Sequence, residues 1–279
     1  MATQAATAPT LAQQILQQQT QAQRTFTIRV IISWVALLVL LVFIFSGVTI
    51  QIGPITIRTI RIDWGFVREW APFISEGTIR TLEICFLSIF FASILALLAA
   101  LGRLSRIAPI YALSTFYVSL IRGTPLLLQI FFFFLALPQM GIVLPGFVAG
   151  VMALSLNYGA YMSEIFRAGI QSVGKGQREA ALALGLTQGQ TMRRIVLPQA
   201  LRVVIPPVGN EFIAMLKDSS LVSATGFVQE IMWRAQKVGR ANFRGLEALL
   251  VAALWYWVMT LIFSAIQSRI ENRLARGDR

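Results

Sequence analysis

The sequence predicts an all-α integral membrane protein of about six transmembrane helices, and three observations carry that prediction. Hydrophobic residues make up 56% of the 279 and charged residues only 13%, with a mean hydropathy of +0.70. A globular chain carries roughly 25% charged residues, so the apolar excess must face lipid. The apolar residues also cluster into runs of about 20, the length that crosses a ~30 Å hydrocarbon layer. Finally, the 24 Lys and Arg against 12 Asp and Glu, a net charge of +12, sit mostly between those runs. There they hold loops against the anionic headgroups of a lipid bilayer and do not mark a nucleic-acid surface.

Taken in order, residues 1–29 are polar, rich in Gln, Ala and Thr, and lack positive charge before Arg24. They read as a flexible tail, with at most a frayed helix. Residues 30–50 are almost uninterruptedly apolar, too long for a signal-peptide core and without a following cleavage site, so they read as a first transmembrane helix. Residues 51–77 contain Pro54, Pro72, Trp64 and Trp70 and read as an external loop with aromatics at headgroup level. Residues 78–279 form the remaining core. Spans are expected at Thr81–Leu101 and at Tyr111–Leu137, the latter bent at Arg122-Gly123-Thr124-Pro125 because proline removes a donor and disfavours helix before it. Further spans fall at Gly146–Arg167, Leu201–Leu216 and Glu247–Gln267, the last closed by Arg269, Arg273, Arg276 and Arg279. Inner segments would carry 12 Lys and Arg and outer segments nine, which favours cytoplasmic N- and C-termini only weakly.

Several chemistries are excluded. The chain has no histidine, so a Ser-His-Asp triad and the usual zinc sites cannot be built. No metal or other cofactor is called for. No G-x-x-x-x-G-K-[ST] loop occurs, so the chain is not itself a P-loop ATPase. The single cysteine, Cys85, lies within an apolar run and reads as packing.

The most informative segment lies within residues 170–199. Gln177–Leu184 is alanine-rich and can approach a partner closely, and Gly185 suits a left-handed helix cap. Thr187-Gln188-Gly189-Gln190 has the form of a capping box. It starts a second helix expected to end near Leu197-Pro198. Periodicity alone would allow an ordinary interfacial loop.

Glu179-Ala180-Ala181, three residues, Gly185, nine residues, then Ile195-x-Leu197-Pro198 resembles the cytoplasmic EAA loop of ABC importer permeases. Arg122-Gly123-Thr124-Pro125-Leu126-Leu127 with Gln129 and Leu156-Asn157-Tyr158-Gly159-Ala160-Tyr161 resemble the polar amino acid subfamily. So do Pro206-Pro207-x-Gly209-Asn210 and Leu216-Lys217-Asp218-Ser219-Ser220. The likeness runs from about Gly77 to the C-terminus. It implies a bacterial inner-membrane permease that imports amino acids, with a five-helix core to which the helix at 30–50 is an addition. It also implies cytoplasmic ATPase subunits, an extracytoplasmic amino-acid-binding protein and a second permease copy or relative. By the same resemblance, Glu179, Ala180, Ala181, Gly185, Ile195, Leu197 and Pro198 would couple to the ATPase, and the chain is a transport subunit, not an enzyme.

The substrate path should be lined by polar groups within the membrane, where they are costly unless they face a cavity or another helix. Asn157, Tyr161 and Glu164 share one helix face by spacing. Pro206-Pro207 is expected to unwind its helix and free carbonyls beside Asn210 and Glu211. Gln129, Asn210 and those carbonyls would meet a zwitterion. Glu211 and Glu164 would answer an ammonium, although Glu164 pairing with Arg167 one turn away is an equal reading. Arg122 and Thr124 read as scaffolding between helices. Lys217, Asp218, Ser219 and Ser220 are candidates for the external gate.

Overall fold

The computed structural model describes residues 11–275, so the first ten residues of the expected tail and the closing Arg276 and Arg279 lie outside the described residues. The chain divides into two units, Met1–Trp64 and Gly65–Arg279.

In the first unit, helix α1 runs Leu11–Ile44. Its stretch Gln18–Ile44 is long and apolar enough to cross a membrane and is exposed along its length. The helix therefore begins well inside the segment read as tail. It also ends six residues before Ile50, because the chain turns at Gly47, whose φ of 72° suits glycine. Strands β1 (Thr49–Ile52) and β2 (Ile55–Arg58) follow. They pair antiparallel, Ile50 opposite Ile57, around a two-residue turn at Gly53-Pro54. The segment read as an external loop thus contains a hairpin of β-branched residues, a small exception to an otherwise all-α fold.

The second unit opens with α2 (Trp64–Ser75) and α3 (Gly77–Arg103). Then come α4 (Ala108–Arg122), α5 (Leu126–Phe131), α6 (Gly146–Ser172) and the short α7 (Lys175–Ala183) and α8 (Gln188–Thr191). The chain continues with α9 (Leu197–Asp218), a 3-10 turn at Ser219–Thr225, α10 (Ile231–Ala241) and α11 (Gly245–Ala275). Among the described residues, length and apolar composition single out Gln18–Ile44, Trp64–Arg103 and Gly245–Leu274 as membrane-crossing, with the bent pair α4 and Leu126–Met140 as a fourth. Helices α6 and α9, at 27 and 22 residues, are long enough to span but carry polar residues on faces packed against neighbours.

Helices α3 and α6 form the central pair. Their contact is made of small residues: Ala92, Ala96 and Ala100 on α3, and Ala153 and Ala160 on α6, are fully buried. Without a hydrophobic drive between helices in lipid, close backbone approach of this kind supplies the packing. At Gly159 a Cβ would stand 2.8 Å from Tyr117 Oη and 2.9 Å from Leu95 Cβ, so only glycine lets α3, α4 and α6 meet there. The expected break at Arg122–Pro125 is present as a 106° bend between α4 and Leu126–Met140.

Two expectations fail. Pro206 and Pro207 do not unwind their helix, because α9 is helical from Leu197 to Asp218. Each proline removes one N–H from the helix ladder, and membrane helices tolerate this where neighbouring helices and local adjustment support the backbone. Here Gln267 of α11 donates to the Pro206 carbonyl at 2.5 Å. Nor does the second loop helix stop at Leu197-Pro198. From Gln188 it passes through a π-turn at Met192–Val196 directly into α9, with Pro198 the second residue of α9.

Candidate functional site

The two-helix loop is built as its sequence suggests. Gly185 adopts φ 83°, Leu186 N–H donates to Ala181 O at 3.1 Å and Gly185 N–H to Leu182 O at 2.9 Å. This is a Schellman cap with Gly185 in the left-handed position. The capping box is complete: Gln190 N–H donates to Thr187 Oγ1 at 3.2 Å, and Thr187 N–H to Gln190 Oε1 at 2.9 Å. Arg178 holds α7 to the end of α6 by donating to the Ile170 carbonyl. Below it, Ile170, Val173, Val196 and Ala200 form a second core cluster against Leu101, Leu104 and Leu197. Ala181 is buried, and Ile195 and Leu197 are half-buried. Glu179, Ala180, Gly185 and Pro198 are exposed. So are Leu182 and Leu184, the latter at 82%. An apolar side chain held that far out on a braced loop leaves a ready contact surface.

Within the bundle, the predicted path residues separate into three groups. Gln129 and Asn157 are buried and spent on structure: Asn157 Nδ2 donates to Gln129 Oε1 at 3.1 Å. Gln129 Nε2 in turn reaches Ile121 O at 2.9 Å and Thr124 Oγ1 at 2.9 Å. Gln129 therefore caps the broken end of α4. Thr124, which also donates to Leu120 O at 3.0 Å, is the scaffold it was expected to be.

The second group surrounds Glu164. Arg103 of α3 donates to its Oε1, Arg167 Nε to its Oε2 at 2.9 Å, and Arg122 of α4 stands 3.5 Å from Oε1. Glu164 thus pairs with Arg167 and with two further arginines, and is not an open carboxylate. Arg122 also lies over the Tyr161 ring at 5.1 Å. Arg103, Arg122, Tyr161 and Glu164 line a cavity of about 390 Å³. Sequence reasoning missed Arg103, whose one signal was a basic residue closing an apolar run.

The third group lies on α9. Asn210 is exposed and Glu211 half-buried; neither makes a side-chain hydrogen bond or ion pair among the described residues. Asp218, two helical turns beyond Glu211, accepts from Tyr158 Oη at 2.8 Å. Lys217 is exposed, Ser220 half-buried, and Ser219 buried with its hydroxyl donating to Leu216 O at 2.9 Å. The structure does not bring this group together with Glu164.

One buried acid escaped the sequence reading. Glu230 is fully buried and caps α10. It accepts from Trp233 N–H at 2.6 Å, Met232 N–H at 2.8 Å and Tyr256 Oη at 2.6 Å. Burial pushes its carboxyl up to about 7, opposed by those hydrogen bonds. Glutamate is an uncommon N-cap, so the sequence gave little warning.

Comparison with known proteins adds family. A model described as "Binding-protein-dependent transport system inner membrane component" matches residues 92–276. The L-cystine transport system permease protein TcyB of Bacillus subtilis is 44% identical over 218 residues, covering 77% of this chain and 92% of that protein. The arginine transport system permease protein ArtQ of the same organism is 40% identical, covering 78% and 99%. The glutamine transport system permease protein GlnP of Escherichia coli K12 is 36% identical, covering 76% and 97%. Among solved structures, an amino acid ABC transporter crystallised with histidines superposes with a TM-score of 0.71 at 40% identity, covering 77% of this chain and all of that one. An inward-facing methionine ABC transporter, at 18% identity and TM-score 0.62, shares the fold.

Proposed function

Because this chain belongs to the family of binding-protein-dependent transport system inner membrane components, we propose that it is the permease of an ABC importer whose cargo is an amino acid. The chain is a transport subunit; hydrolysis of ATP falls to a separate protein. The observation that carries the proposal is the braced two-helix loop, with Glu179, Ala180, Gly185 and Pro198 on its exposed side and Leu182 and Leu184 beside them. A cytoplasmic ATPase subunit seats on that surface. Ala181, Ile195 and Leu197 shape the loop from beneath. Closure of two ATPase subunits then switches a pair of permeases between inward- and outward-facing states, and a substrate-binding protein delivers cargo from outside.

The chain is a multi-pass protein of the inner membrane, and an ATPase-facing loop sets both termini in the cytoplasm. The amino acid cargo follows from the cystine, arginine and glutamine relatives. Tyr161, Asn210 and Glu211 remain the path residues with exposed or half-exposed polar groups. Glu211 is the candidate for the side chain of a cationic cargo, and Lys217, Asp218, Ser219 and Ser220 form the outer closure.

The test is purification of the tagged chain from its native membrane, beside a Gly185→Asp variant. A Walker-motif ATPase recovered in near-stoichiometric amount with wild type, and lost from the variant, supports the reading. Folded wild-type preparations that never contain one would overturn it.

A further inference from the structure

We propose that the cavity between α3, α4 and α6 is an oxyanion site, and that it takes the α-carboxylate of the cargo on Arg122. This rests on the amino acid importer reading and assigns a specific chemistry to one part of the path.

Charge balance is the first observation. Arg103, Arg122 and Arg167 surround one carboxylate, Glu164. Three guanidinium groups against one anion leave two positive charges in a partly buried place. Arg103 and Arg167 are half-buried, at 21% and 33% side-chain exposure, whereas Arg122 at 42% is exposed and open to an incoming anion.

The second observation is how unevenly the carboxylate is shared. Arg103 and Arg167 hydrogen-bond to Glu164, and Arg167 Nη1 also donates to Gln171 Oε1 at 2.8 Å. Arg122 has only the 3.5 Å ion-pair approach and the Tyr161 ring, with no hydrogen bond from its five donors among the described residues. A planar guanidinium with its fork unused matches a carboxylate in bidentate fashion.

The third observation lies on the same wall. Thr115 Oγ1 is buried without a hydrogen-bond partner, and Thr115 and Ser119 line the cavity one turn apart on α4, beside Arg122. Buried hydroxyls are ordinarily satisfied, so an unpaired one in a cavity wall marks where a ligand or water completes the set. Val118 is the only aliphatic side chain in the lining. Glu164 is then the device that holds Arg103 and Arg167 in place and leaves Arg122 for the incoming anion.

The complex recovered from native membranes, set in nanodiscs of phosphatidylcholine alone, provides the test. Binding of L-arginine, L-cystine and L-glutamine is measured directly, each beside its α-carboxamide counterpart. Wild type should prefer the free acid of its cargo by about tenfold or more, the scale of a charge-assisted pair. Arg122→Gln should reduce that ratio to near one, and Arg122→Lys should keep part of it. Because the readout is a ratio, general loss of folding cannot imitate it. A ratio unchanged in Arg122→Gln, with binding otherwise intact, overturns this inference alone. Failure of wild type to bind any of the amino acids removes the importer reading and this inference together. Arg122-dependent displacement of cargo by added phosphatidylglycerol would assign the cavity to lipid headgroups instead and would also overturn it.

Discussion

Arg103, the last residue of α3, donates directly to Glu164, which lies two turns before the end of α6. The pair fastens the C-terminal ends of the two helices that make the central contact of the bundle. Arg103→Gln should lower stability by roughly 2 kcal/mol, a charged hydrogen bond discounted for its partial exposure. Glu164→Gln should cost more, because it leaves three guanidinium groups without their shared anion. Thermal unfolding of the purified complex ranks the two; melting temperatures equal to that of wild type would mean the network contributes nothing.

Gly185 should tolerate no side chain without loss of coupling. Nothing stands within 4 Å of a Cβ built there, so the obstacle is the φ of 83° alone. Gly185→Ala should cost about 1 kcal/mol of local strain and weaken ATPase co-purification, while Gly185→Asn, which accepts the left-handed region better, should retain more of it. Uptake assays on both variants check the order.

Gly209 and Gln267 should behave as a pair. Gln267 fits against Gly209 so closely that a Cβ would collide with its amide, and the same amide donates to Pro206 O. Gly209→Ala should displace the Gln267 amide and weaken the α9–α11 contact by about 1 kcal/mol, the scale of the hydrogen bond lost. Adding Gln267→Ala should recover part of that loss. Simple additivity in the double-mutant cycle would show that the two do not interact.

Glu230 should make stability depend on pH. Its folded value of about 7 lies above the ordinary glutamate value, so the folded state binds a proton that the unfolded chain releases. The protonated form stabilises the fold fully below the unfolded value. That contribution declines as pH rises toward 7 and is gone above it, a loss on the order of 3 kcal/mol. Melting curves of wild type should fall across that window, and those of Glu230→Gln should be flatter. An identical slope in both would assign the dependence to other groups.

Much of this was legible because local chemistry and global fold agree. The Arg122–Pro125 break, the Gly185 cap and the Thr187–Gln190 box each rest on a backbone rule that acts within a few residues. What escaped depended on distant partners. Proline at 206 and 207 reads as a helix breaker until α11 packs against that stretch, with Gln267, 61 residues on, donating to the Pro206 carbonyl. Gln129 and Asn157 read as path residues because spacing gives a face but not what covers it. Arg103 reads as a loop charge until α3 and α6 bring it to Glu164. The hairpin at 49–58 was visible as β-branched residues around Gly53-Pro54, but the adjoining apolar run masked its first strand.

The unbroken run from Gln188 to Asp218 has a mechanical meaning. At 1.5 Å per residue its 31 residues make a rod of about 46 Å, longer than the hydrocarbon layer is thick. One tip is the capped turn at Thr187 and the other is the Ser219–Thr225 turn. Had the loop helix stopped at Pro198, a push on the loop would have been absorbed by a joint at the membrane surface. With the π-turn as a splice, a push from an ATPase seated on the loop as proposed would be carried along continuous helix toward the Ser219–Thr225 turn, making loop and turn two ends of one lever.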